Sequence, residues 1–414
     1  MAGRGNTLGS RTRRRGRAVA ASAAVGLAAV GVVGSVLTAA PSQAAGAGAL
    51  MPWALENENP NPKELPRPLS QALQDAANFD FITAHPIDYE GEVAQMKAVN
   101  PRLILLAYQN ATAAQPGQAN IYPASYYEYD ASGHKIFNPK TGNYLMDPAN
   151  LGWINTKIIQ CRNFLAQSGY DGCYLDLLGT APLAAGFVSG TPINPSTKQP
   201  WTKSDWLHAT AALAGAERAA VHPALVFGNG LSTGPLFFDK VAPTKPLVDA
   251  MDGGIAESWL RGSKTGVNTF PDESAWKQNV EMMVAVEAEG KPLLTLTKLW
   301  VTASAAQQQQ WLQYAMASFL MGTGGRSAFF FSTGFKVSRT TPCSVCNTNV
   351  GTPLGSFAKV GGVYQRSFSN GRALVNPTGA TVTVELGATY FTLTHQPVTS
   401  ITLKPNTGAV LTTS

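Results

Sequence analysis

Short apolar runs alternate with stretches of helical period along most of this chain. Phe79–Ala84, Leu103–Tyr108, Gly172–Asp176, Leu225–Asn229, Gly254–Glu257, Leu293–Thr297 and Ala328–Phe331 are near-continuously apolar over four to six residues. Gly, Pro or polar residues bound them, and at that length they predict strands buried on both faces. An eighth strand is expected around Met51–Glu56. Between them the apolar positions recur with helical spacing over Ile154–Gln167, Lys203–Val221, Glu273–Gly290 and Ala305–Met321. Strands of this kind separated by helices predict an α/β fold with a parallel sheet, and eight of them suit a (β/α)8 TIM barrel. The competing doubly wound sheet lacks its phosphate turn. Gly322-Thr-Gly-Gly325 misses the third glycine and precedes a strand, and no Walker A sequence occurs.

From Phe357 the pattern changes to short strands parted by turn signals such as Asn370-Gly371 and Asn376-Pro-Thr-Gly379. This tail, residues 357–414, predicts a small antiparallel β-sandwich domain that covers the barrel of residues 45–356. The first 17 residues hold six arginines and no acid, an uncharged run follows from Ala18 to Ala40, and Ser42-Gln43-Ala44 offers small residues for cleavage. Residues 1–44 therefore read as a removable signal peptide for Sec or twin-arginine export, and the product as secreted.

That reading changes the meaning of the charge. The whole chain carries +6, with 31 basic and 25 acidic residues, but loss of the six arginines leaves 25 of each. A neutral mature chain gives no basis for gripping nucleic acid, or a membrane after cleavage. Secretion also permits disulfides. Cys161 and Cys173 lie twelve apart and Cys343 and Cys346 three apart, so local pairing is preferred among the three connectivities. The Cys343–Cys346 spacing lacks the second half of a zinc site, and it falls in a late loop rather than at a redox helix.

A barrel does its chemistry at the C-terminal ends of its strands. His85, Tyr108, Asp176, Asn229, Glu257 and Lys298 occupy those ends. Two are carboxylates, Asp176 on the fourth strand and Glu257 on the sixth, and a pair of carboxylates is what glycoside hydrolysis requires. Side chains alternate along a strand. If Asp176 points inward with Gly172 and Tyr174, Cys173 points outward, towards Cys161 on the preceding helix, and Asp171 is structural. The structural alternatives are a helix N-cap for Asp176 and, for Glu257, a buried glutamate paired with Arg261 or Lys298. His85, Tyr108, Tyr174, Asn229, Trp259, Lys298 and Trp300 are candidates to bind or stack on a sugar, each with core or rim as its alternative. Asp147 is expected to cap the helix after Pro148. The Tyr-rich insertion from Gln109 to Tyr144 either walls the cleft or packs on itself. Five scattered histidines supply no metal motif and no Gly-x-Ser-x-Gly elbow occurs, so no metal or organic cofactor is expected.

Tyr170-Asp-Gly-Cys-Tyr-Leu-Asp176, Gly253-Gly-Ile-Ala-Glu-Ser-Trp259 and the Asn376-Pro-Thr-Gly379 tail resemble a bacterial glycoside hydrolase family. Its members are TIM barrels related to endo-α-1,4-polygalactosaminidases and, more distantly, to α-galactosidases. The resemblance implies Asp176 as nucleophile and Glu257 as acid/base. Leu177-Leu178 departs from relatives, which often carry another acid there. The expectation is a secreted, monomeric, retaining glycosidase acting on an extracellular or cell-wall polysaccharide. A non-catalytic glycan-binding barrel is the alternative, and a secreted phosphodiesterase would want a metal cluster that cannot be assembled.

Overall fold

The computed structural model describes residues 51–55, 63–334, 345–346 and 348–414. The proposed signal segment and Cys343 lie outside the described residues. Eight parallel strands close a barrel: β1 Met51–Ala54, β2 Phe81–Ala84, β3 Ile104–Asn110, β4 Gly172–Asp176, β5 Leu225–Asn229, β6 Gly253–Ala256, β7 Leu293–Lys298 and β8 Ala328–Ser332. They follow chain order around the barrel, and β1 completes it by pairing with both β8 and β2. The barrel axis is filled by alternate side chains, among them Trp53, Phe81, Leu106, Tyr174, Phe227, Ile255 and Leu294. Trp53 donates its indole N–H across the interior to the Thr295 carbonyl at 2.9 Å. That satisfies the polar edge of a side chain too large to bury otherwise.

Helices wrap the strands: α1 Leu69–Asn78, α2 Val93–Val99, α3 Leu151–Ser168, α4 Lys203–Val221, α5 Gly234–Phe237, α6 Lys245–Ala250, α7 Glu273–Ala288 and α8 Ala305–Gly322. The long ones begin at side-chain caps, which satisfy amides the helix leaves open. Thr202 and Asp272 cap α4 and α7, and Ser304 with Gln307 forms a capping box on α8. At α3 the cap is Asn150, which accepts from Gly152 and Trp153, and not the expected Asp147. Asp147 instead accepts from the Ala149 amide, one turn too early to reach the helix. The expected disulfide is present: Cys173 leaves β4 on its outer side and bonds Cys161 of α3, with their Cα atoms 6.0 Å apart. Cys346 is also disulfide-bonded.

The tail is an antiparallel sheet of six strands, β9 Ala358–Val360, β10 Val363–Phe368, β11 Gly371–Asn376, β12 Val382–Phe391, β13 Pro397–Leu403 and β14 Thr407–Thr412. Their order is β9-β10-β11-β14-β12-β13. The β12–β13 hairpin folds over the sheet to enclose Val363, Leu374, Val384, Leu386, Leu403 and Leu411. The other face lies on the barrel helices, as expected of a cover. Arg366 donates to the carbonyls of Leu320, Met321 and Thr323 at 2.9, 3.0 and 2.7 Å, closing the C-terminal end of α8. Tyr364 packs on Trp276 of α7 with ring centroids 4.5 Å apart. Gly408 is where β14 crosses α8, and a Cβ there would sit 2.8 Å from both the Ala317 Cβ and the Gln313 carbonyl oxygen. Only glycine permits that approach.

Candidate active site

The register of β3 against β4 places Tyr108 beside Tyr174 and Asn110 beside Asp176. Tyr108, Asn110 and Asp176 line hollows at the barrel mouth, and Tyr174 lies buried in the barrel interior. Asp176 ends β4 and its carboxylate collects three donors. Tyr108 Oη gives to Oδ2 at 3.0 Å, while Asn229 Nδ2 and the Leu177 amide give to Oδ1 at 3.0 and 2.7 Å. The last bond depends on an unusual backbone, because Leu177 has φ +67°. A leucine in the left-handed region is uncommon and costs energy that the surroundings must meet, and such residues gather at functional sites. No α-helix starts at Asp176, and the short 3-10 turn Ala181–Leu183 is preceded by Thr180, so the N-cap alternative fails.

Glu257 stands one residue beyond β6. Tyr174 Oη donates to its Oε1 at 3.0 Å and Lys298 Nζ to its Oε2 at 2.7 Å. The pairing foreseen as a structural alternative is thus present with Lys298, while Arg261 lies 4.6 Å over the Trp311 ring instead. The ion pair is not sealed in the core, since the Glu257 side chain keeps 18% of its surface exposed. Lys298 also lies 4.8 Å above the ring of Trp300, whose indole N–H donates to Ser332 Oγ.

The two carboxylates differ electrostatically. Burial is the largest cause that pushes the Asp176 carboxyl up to about 6, and the nearby charge of Glu257 adds to it. Donors from Asn229, Tyr108 and Leu177 pull the other way without cancelling it. Glu257 has an ammonium as its direct partner, and among the described residues Asp176 has neutral donors. Asp176 therefore keeps its proton to a higher pH than an ordinary aspartate does.

The other expected residues divide by position. His85 packs beside Tyr108 with ring centroids 5.5 Å apart, and Tyr108 beside Tyr174 at 5.4 Å, forming one aromatic side of the mouth. Asn229 touches Asp176, and Lys298 and Trp300 flank Glu257. Tyr174 is fully buried and reaches the site only through its hydroxyl on Glu257. Trp259 corrects the sequence reading. It is 0% exposed, its indole N–H bonds the Asn279 carbonyl at 3.0 Å, and its ring packs edge-on to Phe319, so it is core and not a sugar platform. The turn after β6 sends the side chain two residues beyond Glu257 outward between helices. Asp171 is structural as expected, taking Lys97 Nζ and the Leu105 amide at 2.7 Å each.

The insertion after β3 has two alternatives from its sequence, a cleft wall and a self-packed loop, and it combines them. Tyr122 packs against Trp153 with centroids 5.2 Å apart, and Lys135 sits 3.9 Å over the Tyr127 ring, so the tyrosines hold the loop together. Its polar residues Asn138, Thr141 and Asn143 face a hollow of about 220 Å³ that contains Asp176. The sequence reading missed these three, since polar residues in a long loop carry no periodic signal, and it missed Asn110, which ends β3. Among the described residues one grouping has metal-type ligand atoms, Cys161, Cys173 and Glu217, and its sulfurs are joined in the disulfide. No described helix is long and apolar enough to cross a membrane.

Comparison with known proteins adds three findings. Residues 97–372 match the pattern of hypothetical glycosyl hydrolase family 15. No curated protein sequence matches the chain. Among solved structures, a noncanonic maltogenic alpha-amylase from Thermotoga neapolitana aligns over 86% of this chain and 98% of its own, with 10% identity and TM-score 0.48. An alpha-amylase from Geobacillus thermoleovorans, complexed with acarbose, aligns over 88% and 97%, with 11% identity and TM-score 0.48. At such identity and overlap the likeness has no bearing on chemistry.

Proposed function

This chain belongs to hypothetical glycosyl hydrolase family 15 and is a glycosidase, and from that premise we propose that Asp176 and Glu257 are its reacting carboxylates. The observation that carries the reading is their unequal setting at one barrel mouth. A two-carboxylate glycosidase needs one group protonated and the other anionic at the working pH. Asp176, pushed up to about 6 with neutral donors, suits the proton donor to the leaving oxygen. Glu257, held by Lys298 and Tyr174, suits the anion that attacks the anomeric carbon. This exchanges the roles that the family resemblance implies. After attack, Asp176 as carboxylate takes a proton from water, and that water releases the sugar from Glu257.

Retention is part of the proposal. The Tyr108 and Tyr174 rings stand 5.4 Å apart, and each hydroxyl holds one carboxylate at 3.0 Å. Direct attack needs the two carboxyl groups about 5–5.5 Å apart, and a gap of about 6.5–9.5 Å that admits a water gives inversion. Kinship to the polygalactosaminidases and secretion to an extracellular or cell-wall polysaccharide belong to the same proposal. Secretion is supported by the basic and apolar first 44 residues and by the Cys161–Cys173 bond.

Aryl glycosides with good and poor leaving groups test the assignment. Asp176→Asn is expected to keep kcat/KM on good leaving groups and lose about 10²–10⁴-fold in kcat/KM on poor ones, as loss of a general acid does, with kcat reduced on both because water then lacks its base. Glu257→Gln is expected to lose both. The reverse pattern would restore the roles of the resemblance, and wild-type rates in both variants would end the two-carboxylate reading.

A further inference from the structure

A second and larger cavity, of about 640 Å³, adjoins the hollow over Asp176. The two share Tyr108, Asn110, Ala113 and Asn143, so they form one continuous trough. This trough meets the carboxylate pair from the Asp176 side. Asp176 lines it, whereas Glu257 lines neither hollow. From there it runs over the end of β3 to α3, with Tyr122 in its far wall. Among the described residues its lining holds one carboxyl, that of Asp176, and one ammonium, that of Lys157. Lys157 is 3% exposed and has the charge of Glu217 acting on it, so no open cation faces the trough. Two carboxamides stand where the hollows join. Asn110 lies beside Asp176 in the register of β3 against β4. Its Oδ1 takes the Thr112 amide at 3.2 Å, and its Nδ2 has no acceptor among the described residues. The Asn143 side chain has no hydrogen-bond partner among them. Both residues are half-buried and neither has a sealed, unpartnered atom, so these groups open into the trough.

We propose that the trough is the leaving-group side of the cleft and takes an uncharged sugar chain, with Asn110 and Asn143 holding hydroxyls of the unit next to the scissile bond. The acid that protonates the leaving oxygen faces the part of the substrate that departs. With Asp176 as that acid, a trough that reaches the pair beside Asp176 receives the departing chain, an assignment that rests on the proposed catalytic roles. A carboxamide donates and accepts without charge, which suits hydroxyls that do both. An acidic sugar would find no open cation here and would bring its charge towards Asp176. The larger hollow has the volume of pockets that bury ligands of drug size, more than one sugar ring. The half-buried Tyr108 and Tyr122 offer apolar ring faces along it. The departing group is therefore a saccharide and not a small aglycone.

The test compares the whole protein with Asn110→Ala and Asn143→Ala on two substrates of one sugar, its nitrophenyl glycoside and its tetrasaccharide. The sugars are glucose, galactose, N-acetylglucosamine and N-acetylgalactosamine. Each variant is expected to lose about fivefold more kcat/KM on the tetrasaccharide than on the aryl glycoside, the worth of one neutral hydrogen bond to the departing sugar. Equal losses on both substrates would put the trough on the other side of the scissile bond and overturn the proposal. So would no loss on either, or galacturonotetraose cleaved as well as galactotetraose. If none of these substrates is turned over, the catalytic reading fails by itself, and calorimetry with the same tetrasaccharides still reads the trough. Binding weakened about fivefold in both variants would then support it. No binding, or equal binding by wild type and variants, would overturn it.

Discussion

Asp176→Asn should make the protein more stable at neutral pH while it disables the site. The carboxyl titrates near 3.8 in an unfolded chain and at about 6 in the fold. The native state therefore binds this proton more tightly than the unfolded state does. Below about pH 4 both states are protonated and the group contributes nothing to pH dependence. As pH rises through about 6 the native protein must give up a proton it holds well, which costs on the order of 2–3 kcal/mol at 1.36 kcal/mol per pK unit. Asparagine carries no such cost. It also fits the existing bonds. Its carbonyl oxygen at the Oδ1 position still accepts from Leu177 and Asn229, and its NH2 meets a Tyr108 hydroxyl that can turn to accept. Urea unfolding of both proteins at about pH 4 and about pH 8 measures the effect. The expected result is near-equal stability in acid and an advantage of about 2–3 kcal/mol for Asn at the higher pH. A difference that stays flat between the two conditions, or one that grows against Asn, would refute the electrostatic account of Asp176 and the proton assignment built on it.

Further consequences follow from named contacts. With Asp176 as the acid, kcat/KM should fall as pH rises past about 6, and Tyr108→Phe should move that limb upward, because the lost hydroxyl favours the anion. A pH–rate profile that moves its acidic limb instead would give Asp176 the nucleophile's role. Replacing Cys161 and Cys173 by Ser should lower stability by about 3 kcal/mol, the loop-closure value for a short cross-link, measured by denaturant melts of oxidised protein. Arg366→Ala should cost about 2–4 kcal/mol by leaving three partly buried carbonyls at the end of α8 without their donor, with aryl glycoside turnover unchanged. A drop in turnover at unchanged stability would mean that the tail acts on the site.

What the sequence made legible follows from periodicity. Eight apolar runs were readable as strands because a buried parallel strand leaves no room for polar residues, and the two-residue alternation in β4 correctly sent Cys173 out to Cys161. The same alternation put Asp176 and Tyr174 inward. Trp259 escaped the method because it lies in a turn, where no period fixes direction and an aromatic beside an acid suggests function more readily than core. The insertion escaped for a related reason. Its tyrosines were conspicuous, yet they pack on Trp153 and Lys135, while Asn138 and Asn143 reach the hollow by a path only the folded loop defines. The short helices α2 and α6 lack the length for a clear helical pattern.

The seam of the barrel runs through four residues. Met51 and Pro52 register with Ala328 and Phe329 on one side, and Trp53 and Ala54 with Phe81 and Ile82 on the other. No other barrel strand joins partners so far apart in the chain. The first strand to be synthesised must wait for the eighth before it has both neighbours, so ring closure is a late event that carries the largest loop-entropy cost in the fold. Until then β8 offers an open parallel edge, which another chain could occupy. Dilution during refolding, and Trp53 as the fluorophore that reports closure, are where that delay should show itself.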